Sequence, residues 1–376
     1  MTAKNGAETT PRDTLLFRES DVEEVLDIES AIDAVREGFR QAALGDAQSP
    51  PWRDVRFAGA SQPHGAGPGI TQAMAYLTSE RVAIVKHFYS FGGPPVAILR
   101  LIDTSRGKTL AVMEANYESR MRTGAAGAVA AQYLAKASAT KAGVVGTGTQ
   151  AAAQIEFLAH IRSIEEIRAF SLDPRERQEA FAHRVAATTG IPIVLTRRAE
   201  DVVKDVDVLI TATPSTEPIV KADWIPEGLH ITSMGADDPH KAELAPEVFG
   251  KADKVVIDSD KALKTKQFRA AFREGVLPAG RTFPTIGEVI AGTSPGREDD
   301  REITIFHSAG TSVQDAEIAL AVYRAACERG IGTRICLDRD PSLTAARLAA
   351  WIGEIADAVL TSDSPNRRSP KEHEGG

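Results

Sequence analysis

The chain has 376 residues, 43% hydrophobic and 26% charged, with a formal net charge of −8. That length exceeds the usual single-domain size and predicts two domains of a soluble globular protein. The acidic balance excludes a general attraction to nucleic acid or an anionic membrane, and no apolar run approaches the roughly 18 residues needed to span a bilayer.

The opening stretch MTAKNGAETTPRDT is polar and lacks the apolar core of a signal peptide. It reads as a flexible tail over 1–13, as does TSDSPNRRSPKEHEGG within 359–376. From Glu19 to Leu44 two helices are expected. Val22, Val25 and Leu26 mark the first apolar stripe and Ile32, Val35 and Phe39 the second, with Ser20 and Ser30 as N-caps. A loop rich in Pro and Gly follows. Beyond it lie the strand-like runs ITQAMAYL, RVAIVKHFYS, PVAILRLIDT and TLAVMEA, with IDTSRGKTLAV reading as a hairpin. RTGAAGAVAAQYLA then predicts a helix of small residues that can lie close against another backbone.

After that helix, strands alternate with helices: AGVVG, IRAFSL, PIVL, DVLITAT, HITSMG, KVVID and ITIFHS. Several are continuous apolar runs, as in strands covered on both faces, which predicts a doubly wound parallel sheet. The closing helix SVQDAEIALAVYRAACERG stops at Gly330. Only two cysteines occur, Cys327 and Cys336, without metal-site spacing, so a reducing cytoplasm is expected and no metal. There is no G-x-S-x-G elbow, Walker loop or zinc cluster.

In KAGVVGTGTQAAAQIEFLAHI an apolar strand ends at Val145, and Gly146-Thr147-Gly148-Thr149-Gln150-Ala151 opens a helix. The first glycine suits a tight turn, the second a close approach of backbone to pyrophosphate, and Ala151 close helix–strand packing. Phosphate would sit on the free N–H groups at the helix start. An acid at the end of the next strand would bind the ribose hydroxyls of NAD, whereas arginine suits the 2′-phosphate of NADP. Ser171 holds that place and Asp173 follows, with Arg175 and Arg177 beyond. Asp173 is either a ribose ligand or an N-cap; NAD is favoured, with NADP open.

ESRMRTGAAGAVAAQYLA, GVVGTGTQ, ITATPSTEPIV, HITSMGADDPHKAEL and ITIFHSAGTSVQD occur in one order. In this the chain resembles the ornithine cyclodeaminase and mu-crystallin family from about Phe17 to Leu337. The resemblance implies a Rossmann NAD(P)-binding domain, 122–310, beside a mixed α+β substrate and dimerisation domain, 14–121, to which 311–358 returns. It also implies a homodimer acting on a small amino acid or imine. The expected activity is NAD(P)-dependent hydride transfer between an α-amino acid and its imine; the alternatives are conversion of ornithine to proline and ammonia, or ligand binding with little catalysis.

Such chemistry needs a clamp for the α-carboxylate and a group that moves a proton on the nitrogen. The resemblance assigns Arg122 and Arg53 to the clamp, with Arg56 close enough to Arg53 to compete. Lys86, in the apolar strand IVKHFY, joins them as a substrate-binding and catalytic residue that stabilises charge beside the carboxylate, and Asp237 is the acid/base. Asp238 before Pro239 reads as a helix N-cap, which leaves Asp237 free. Thr213, Ser233, Met234, Gly235, Lys241 and Ser308 are placed along the cofactor together with Gly146, Gly148, Thr149, Gln150 and Asp173. His87 is a weaker rival base. Gln72 is aligned where ornithine-acting relatives carry an acid, which speaks against ornithine.

Overall fold

The computed structural model describes residues 13–57, 69–90 and 96–337. The tails expected at 1–13 and 359–376 lie outside these residues, Asp13 excepted, and the expected return of 311–358 can be followed only to 337. Fifteen strands are present among the described residues. The first seven are β1 (Asp13–Phe17), β2 (Ala47–Gln48), β3 (Arg53–Arg56), β4 (Gly69–Leu77), β5 (Val82–Ser90), β6 (Val96–Asp103) and β7 (Lys108–Glu114). Then come β8 (Lys141–Val145), β9 (Glu166–Phe170), β10 (Ile193–Leu195) and β11 (Val208–Thr211). The last are β12 (His230–Ser233), β13 (Lys254–Ile257), β14 (Thr304–His307) and β15 (Thr333–Cys336).

Two short-range helices, α1 (Glu19–Val25) and α2 (Ile28–Leu44), follow β1 as the apolar stripes predict. Their caps differ from expectation. The N-caps are Arg18 and Asp27, and the Asp27 side chain accepts from the Ser30 N–H, so Ser30 is the capped donor. A carboxylate three residues earlier satisfies that orphan N–H, and Ser20 lies inside α1.

The first sheet runs β15-β1-β7-β6-β5-β4-β2, with β3 also pairing β4. Strands β4 to β7 are antiparallel neighbours, and β6–β7 is the predicted hairpin. The second sheet runs β10-β9-β8-β11-β12-β14-β13, and every pairing in it is parallel. Its chain order reverses between β8 and β11, the crevice where doubly wound sheets hold ligands. All four residues of β11, β12 and β14 are buried, as in strands covered on both faces, and β12 and β14 each bury one histidine, His230 and His307. Fold class is therefore as expected: a Rossmann-type doubly wound sheet beside a mixed sheet.

Helix α3 (Asn116–Leu134) packs against α2 and against α4 (Thr149–Ile161), so the expected boundary at 121/122 falls inside a helix that both halves use. Gly124 and Gly127 make the second packing possible: a Cβ there would collide with Phe157 and Gln154 of α4. Because α3 begins at Asn116, Arg122 lies well inside the helix rather than at its start. Helices α5 (Arg175–Thr189), α6 (Ala199–Val203), α7 (Pro246–Lys251), α8 (Lys266–Arg273) and α9 (Ile286–Ile290) complete the connections of the second sheet. The chain then returns through α10 (Ser312–Arg329), capped by Gly330 in the left-handed region, to lie against α2, α3 and β4.

Candidate active site

The glycine turn sits at the carboxyl end of β8, at the point where strand order reverses. Gly146 has φ +113°, its N–H donates to the Phe170 carbonyl, and a Cβ would strike the Ala212 carbonyl oxygen. Only glycine fits there. Gly148 is different: it caps α4 with φ −87°, and nothing lies within 4 Å of the place a Cβ would take. The first helical bond of α4 runs from the Ala152 N–H to the Gly148 carbonyl. The amides of Thr149, Gln150 and Ala151 therefore face the open side with the positive end of the helix, a site suited to a phosphate.

Asp173 belongs to this turn. Its carboxylate accepts from Thr147 Oγ1 and Ser171 Oγ, both at 2.8 Å, and these hydrogen bonds hold it below the usual carboxylate range. Helix α5 is capped by Pro174, so the N-cap alternative for Asp173 falls away. Arg175 pairs with Glu179, and Arg175 and Arg197 line a neighbouring cavity with Ser171.

Thr213, Ser233, Met234, Gly235 and Ser308 follow or close β11, β12 and β14, so they gather along the same carboxyl edge. Their side chains are largely engaged in holding it. Glu243, missed in the sequence, accepts from Thr211 Oγ1, Thr213 N–H, Thr213 Oγ1 and Gly235 N–H at 2.6–3.0 Å. Burial raises this carboxyl despite those bonds. Ser233 Oγ lies 3.1 Å from Gln267 and 3.2 Å from His307, while Ser308 Oγ donates to Asp258 at 2.7 Å. The Ser308 N–H also donates to the Ser233 carbonyl, so these two serines brace the edge.

A cavity of about 770 Å³ opens beside this edge. Asp237, Asp238 and Lys241 are on one side, Trp52, Asp54 and Thr71 on another, and Lys261 and Gly310 are among the other residues that line it. Asp237 is half exposed to it and accepts from Lys241 Nζ at 2.7 Å. Burial works against the Lys241 ammonium, but Asp237 outweighs it and raises the group. No helix follows Asp238. Instead Asp238 closes a turn by accepting from the His240 N–H at 2.7 Å, so it is spoken for structurally by a different motif from the one expected. Lys261, also missed, lies 3.4 Å over the Trp52 ring and donates to the Ala309 carbonyl. Burial pulls its ammonium below the ordinary value.

Behind Trp52 and Gly310 lies a buried charge cluster. Lys86 Nζ donates to Glu118 and to Asp315 Oδ1, the latter at 2.6 Å, and all three side chains are fully buried. Arg122 Nε stands 3.5 Å from the same Asp315 oxygen, and its Nη1 donates to Gln314. Trp52 stacks on Phe88, whose ring faces Lys86 Nζ at 4.9 Å, and donates its indole N–H to Ser312. Glu118 Oε1, Asp315 Oδ2, Arg122 Nε and Gln314 Nε2 are buried without a hydrogen-bond partner. Four orphaned polar atoms in one cluster mark a place shaped for something more than packing.

The strand register separates the remaining candidates. Lys86 pairs with Ala73, whereas its neighbours His87 and Gln72 pair with each other and with Arg53. Adjacent residues of a strand face opposite ways, so Arg53, Gln72 and His87 share the face turned from Lys86. Gln72 Nε2 and His87 Nε2 lie 3.0 Å apart. The structure thus does not bring Arg53 to Arg122: it is exposed and does not line the cavity. His87 is removed as a rival base, and Gln72 no longer bears on ornithine because it does not share the Lys86 face. The Arg56 side chain is outside what is described.

A glycine turn at the carboxyl edge of a Rossmann sheet, with a cavity along the same edge, is the arrangement of a dinucleotide-dependent oxidoreductase. Residues 12–330 match the model of the ornithine cyclodeaminase/mu-crystallin family, and the chain belongs to that family. The alanine dehydrogenase of Archaeoglobus fulgidus is 38% identical over 331 residues, 86% of this chain and 98% of that one. The Delta(1)-pyrroline-2-carboxylate reductase of Bacillus cereus is 31% identical over 71% of this chain and 83% of its own. The reductase of the same name from Thermococcus litoralis, solved with NADH and L-proline, superposes with a TM-score of 0.80 at 32% identity, covering 86% of this chain and all of that one.

Proposed function

We propose that this chain is an NAD-dependent oxidoreductase that interconverts an α-amino acid and its imine, with the hydride exchanged at Cα. The carrying observation is that the phosphate turn and the Asp237 cavity open on one carboxyl edge, with the Lys86–Arg122 cluster directly behind the cavity wall. A bound nicotinamide supplies or accepts the hydride. The chain's own residues do the rest. Gly146 to Ala151 would hold the pyrophosphate, and Asp173 the adenosine ribose. Arg122 and Lys86 would bind the α-carboxylate and so orient Cα. Asp237, kept in place by Lys241, would move the proton on and off the substrate nitrogen.

A homodimer is part of this reading. Val55, Val96 and Ile98 are exposed apolar residues on the face of the first sheet opposite Lys86, and an archaeal alanine dehydrogenase, 36% identical with a TM-score of 0.79, was solved as a dimer with bound NAD. No described helix is long and apolar enough to cross a membrane. A cytoplasmic location accords with only two cysteines in the chain.

The test is NADH and NADPH binding by fluorescence, then NADH oxidation with 2-oxo acids plus ammonia or methylamine and with Delta(1)-pyrroline-2-carboxylate. Tight NADH binding with turnover of one of these supports the reading. Proline and ammonia from ornithine, without net NADH consumption, would replace it by a cyclodeaminase.

A further inference from the structure

The cluster behind the cavity contains two cations, Lys86 and Arg122, and two carboxylates, Glu118 and Asp315. With all four ionised its charges cancel, which leaves little attraction for a third carboxylate brought by a substrate. Both carboxylates approach the one Lys86 ammonium, and each keeps an oxygen without a partner, Glu118 Oε1 and Asp315 Oδ2. Two buried like charges so close disfavour double ionisation. One proton relieves them and leaves the cluster with a net positive charge.

We propose that Glu118 is a positioning residue that acts through Lys86, and that binding of the substrate α-carboxylate is coupled to uptake of one proton at Glu118. This rests on the reading that Lys86 and Arg122 receive that carboxylate. The charged groups facing Glu118 are Lys86 from β5, Asp315 from α10 and Arg122 from its own helix. The proton goes to Glu118 and not to Asp315 because Asp315 has both cations beside it, Lys86 at 2.6 Å and Arg122 at 3.5 Å. Burial pushes the Glu118 carboxyl up to about 7 against the pull of Lys86. Burial would raise Asp315 as well, but Lys86 and Arg122 hold it below its ordinary value. Near neutral pH the unliganded protein is then poised between the two charge states.

Isothermal titration with pyruvate in the presence of NADH, at pH 8 in buffers of different ionisation enthalpy, reads the coupling without turnover. The wild type takes up close to one proton per pyruvate, and Glu118→Gln takes up none. In steady state, the wild-type KM rises about tenfold per pH unit above neutrality with little change in kcat, and the Glu118→Gln KM is flat over that range. A merely structural role would lower stability and kcat without changing the slope of KM. Infrared difference spectra between pH 5.5 and 9 should show a buried carboxylic acid band in the wild type that Glu118→Gln lacks. Pyruvate binding with no proton uptake, or a Glu118 that stays ionised down to pH 5.5, overturns the coupling alone. Absence of binding at every pH by pyruvate and also by the 2-oxo acid or imine that the enzyme turns over counts against the carboxylate role of Lys86 and Arg122, and the coupling falls with it.

Discussion

The ammonium of Lys86, on a central strand of the mixed sheet, stands 2.6 Å from Oδ1 of Asp315 on the helix that returns from the far end of the chain. With Glu118 it ties β5, α3 and α10 together in a fully buried site. Removing one partner of a buried pair leaves an uncompensated charge and typically costs roughly 3–5 kcal/mol. Lys86→Met should therefore lower the free energy of unfolding by about that much, and Glu118→Leu added to it should recover part. Denaturant titration checks both. A loss under about 1 kcal/mol for Lys86→Met would show that Asp315 is not held there as an ion.

Gly146 and Gly148 should respond in opposite ways. Gly148 has an ordinary negative φ and open space where a Cβ would point, so Gly148→Val should fold with a melting temperature close to wild type. Its branched side chain would occupy the place of the pyrophosphate, and NADH affinity should fall by roughly tenfold or more. Gly146→Ala strains a φ of +113° and strikes the Ala212 carbonyl, so it should lose stability first. Fluorescence titration and melting curves of the pair separate the two effects; unaltered NADH binding in Gly148→Val would remove the phosphate from this turn.

Asp237→Asn keeps the size of the side chain and a hydrogen-bond acceptor for Lys241 but cannot exchange a proton. On the proposed mechanism kcat with an imine substrate falls by roughly 10²–10⁴, while NADH affinity is unchanged. Steady-state kinetics beside a cofactor titration decide it. Full activity would move the proton-transfer role to another group on the cavity, with Lys261 the first to try.

Two buried histidines make the fold sensitive to acid. Burial lowers His307 to about 4 and His230 to about 3. Both folded values lie below the usual 6.5, so each neutral ring contributes stability that is fully present above pH 6.5 and lost as pH falls through its folded value. His307 is held by Ser233 and Gln267 on Nδ1 and by Thr265 on Nε2. In His307→Gln the decline of stability between pH 6.5 and 4 should be shallower, by as much as about 1.4 kcal/mol per pH unit. Unfolding curves at several pH values test this, and parallel declines in the two proteins would contradict it.

Signals that act within one turn or strand were legible in the residues themselves. Apolar runs such as VLIT and KVVI are hidden on both faces of a parallel sheet, and their alternation with helices leaves one class of fold. The turn at Gly146 was equally plain, because a tight bend, an open backbone and a small third position each demand particular residues over six positions. The tertiary structure decided what depends on partners distant in the chain. Whether Arg53 or Gln72 shares the face of Lys86 is a matter of register between β3, β4 and β5, where one residue's shift reverses every side chain. Glu118 and Asp315 look like ordinary helix acids until α3 and α10 close over Lys86, and Glu243 looks exposed until the loops after β11 and β12 fold onto it. A buried charge has no local signature, since its cost is met only by groups that folding brings to it from elsewhere in the chain.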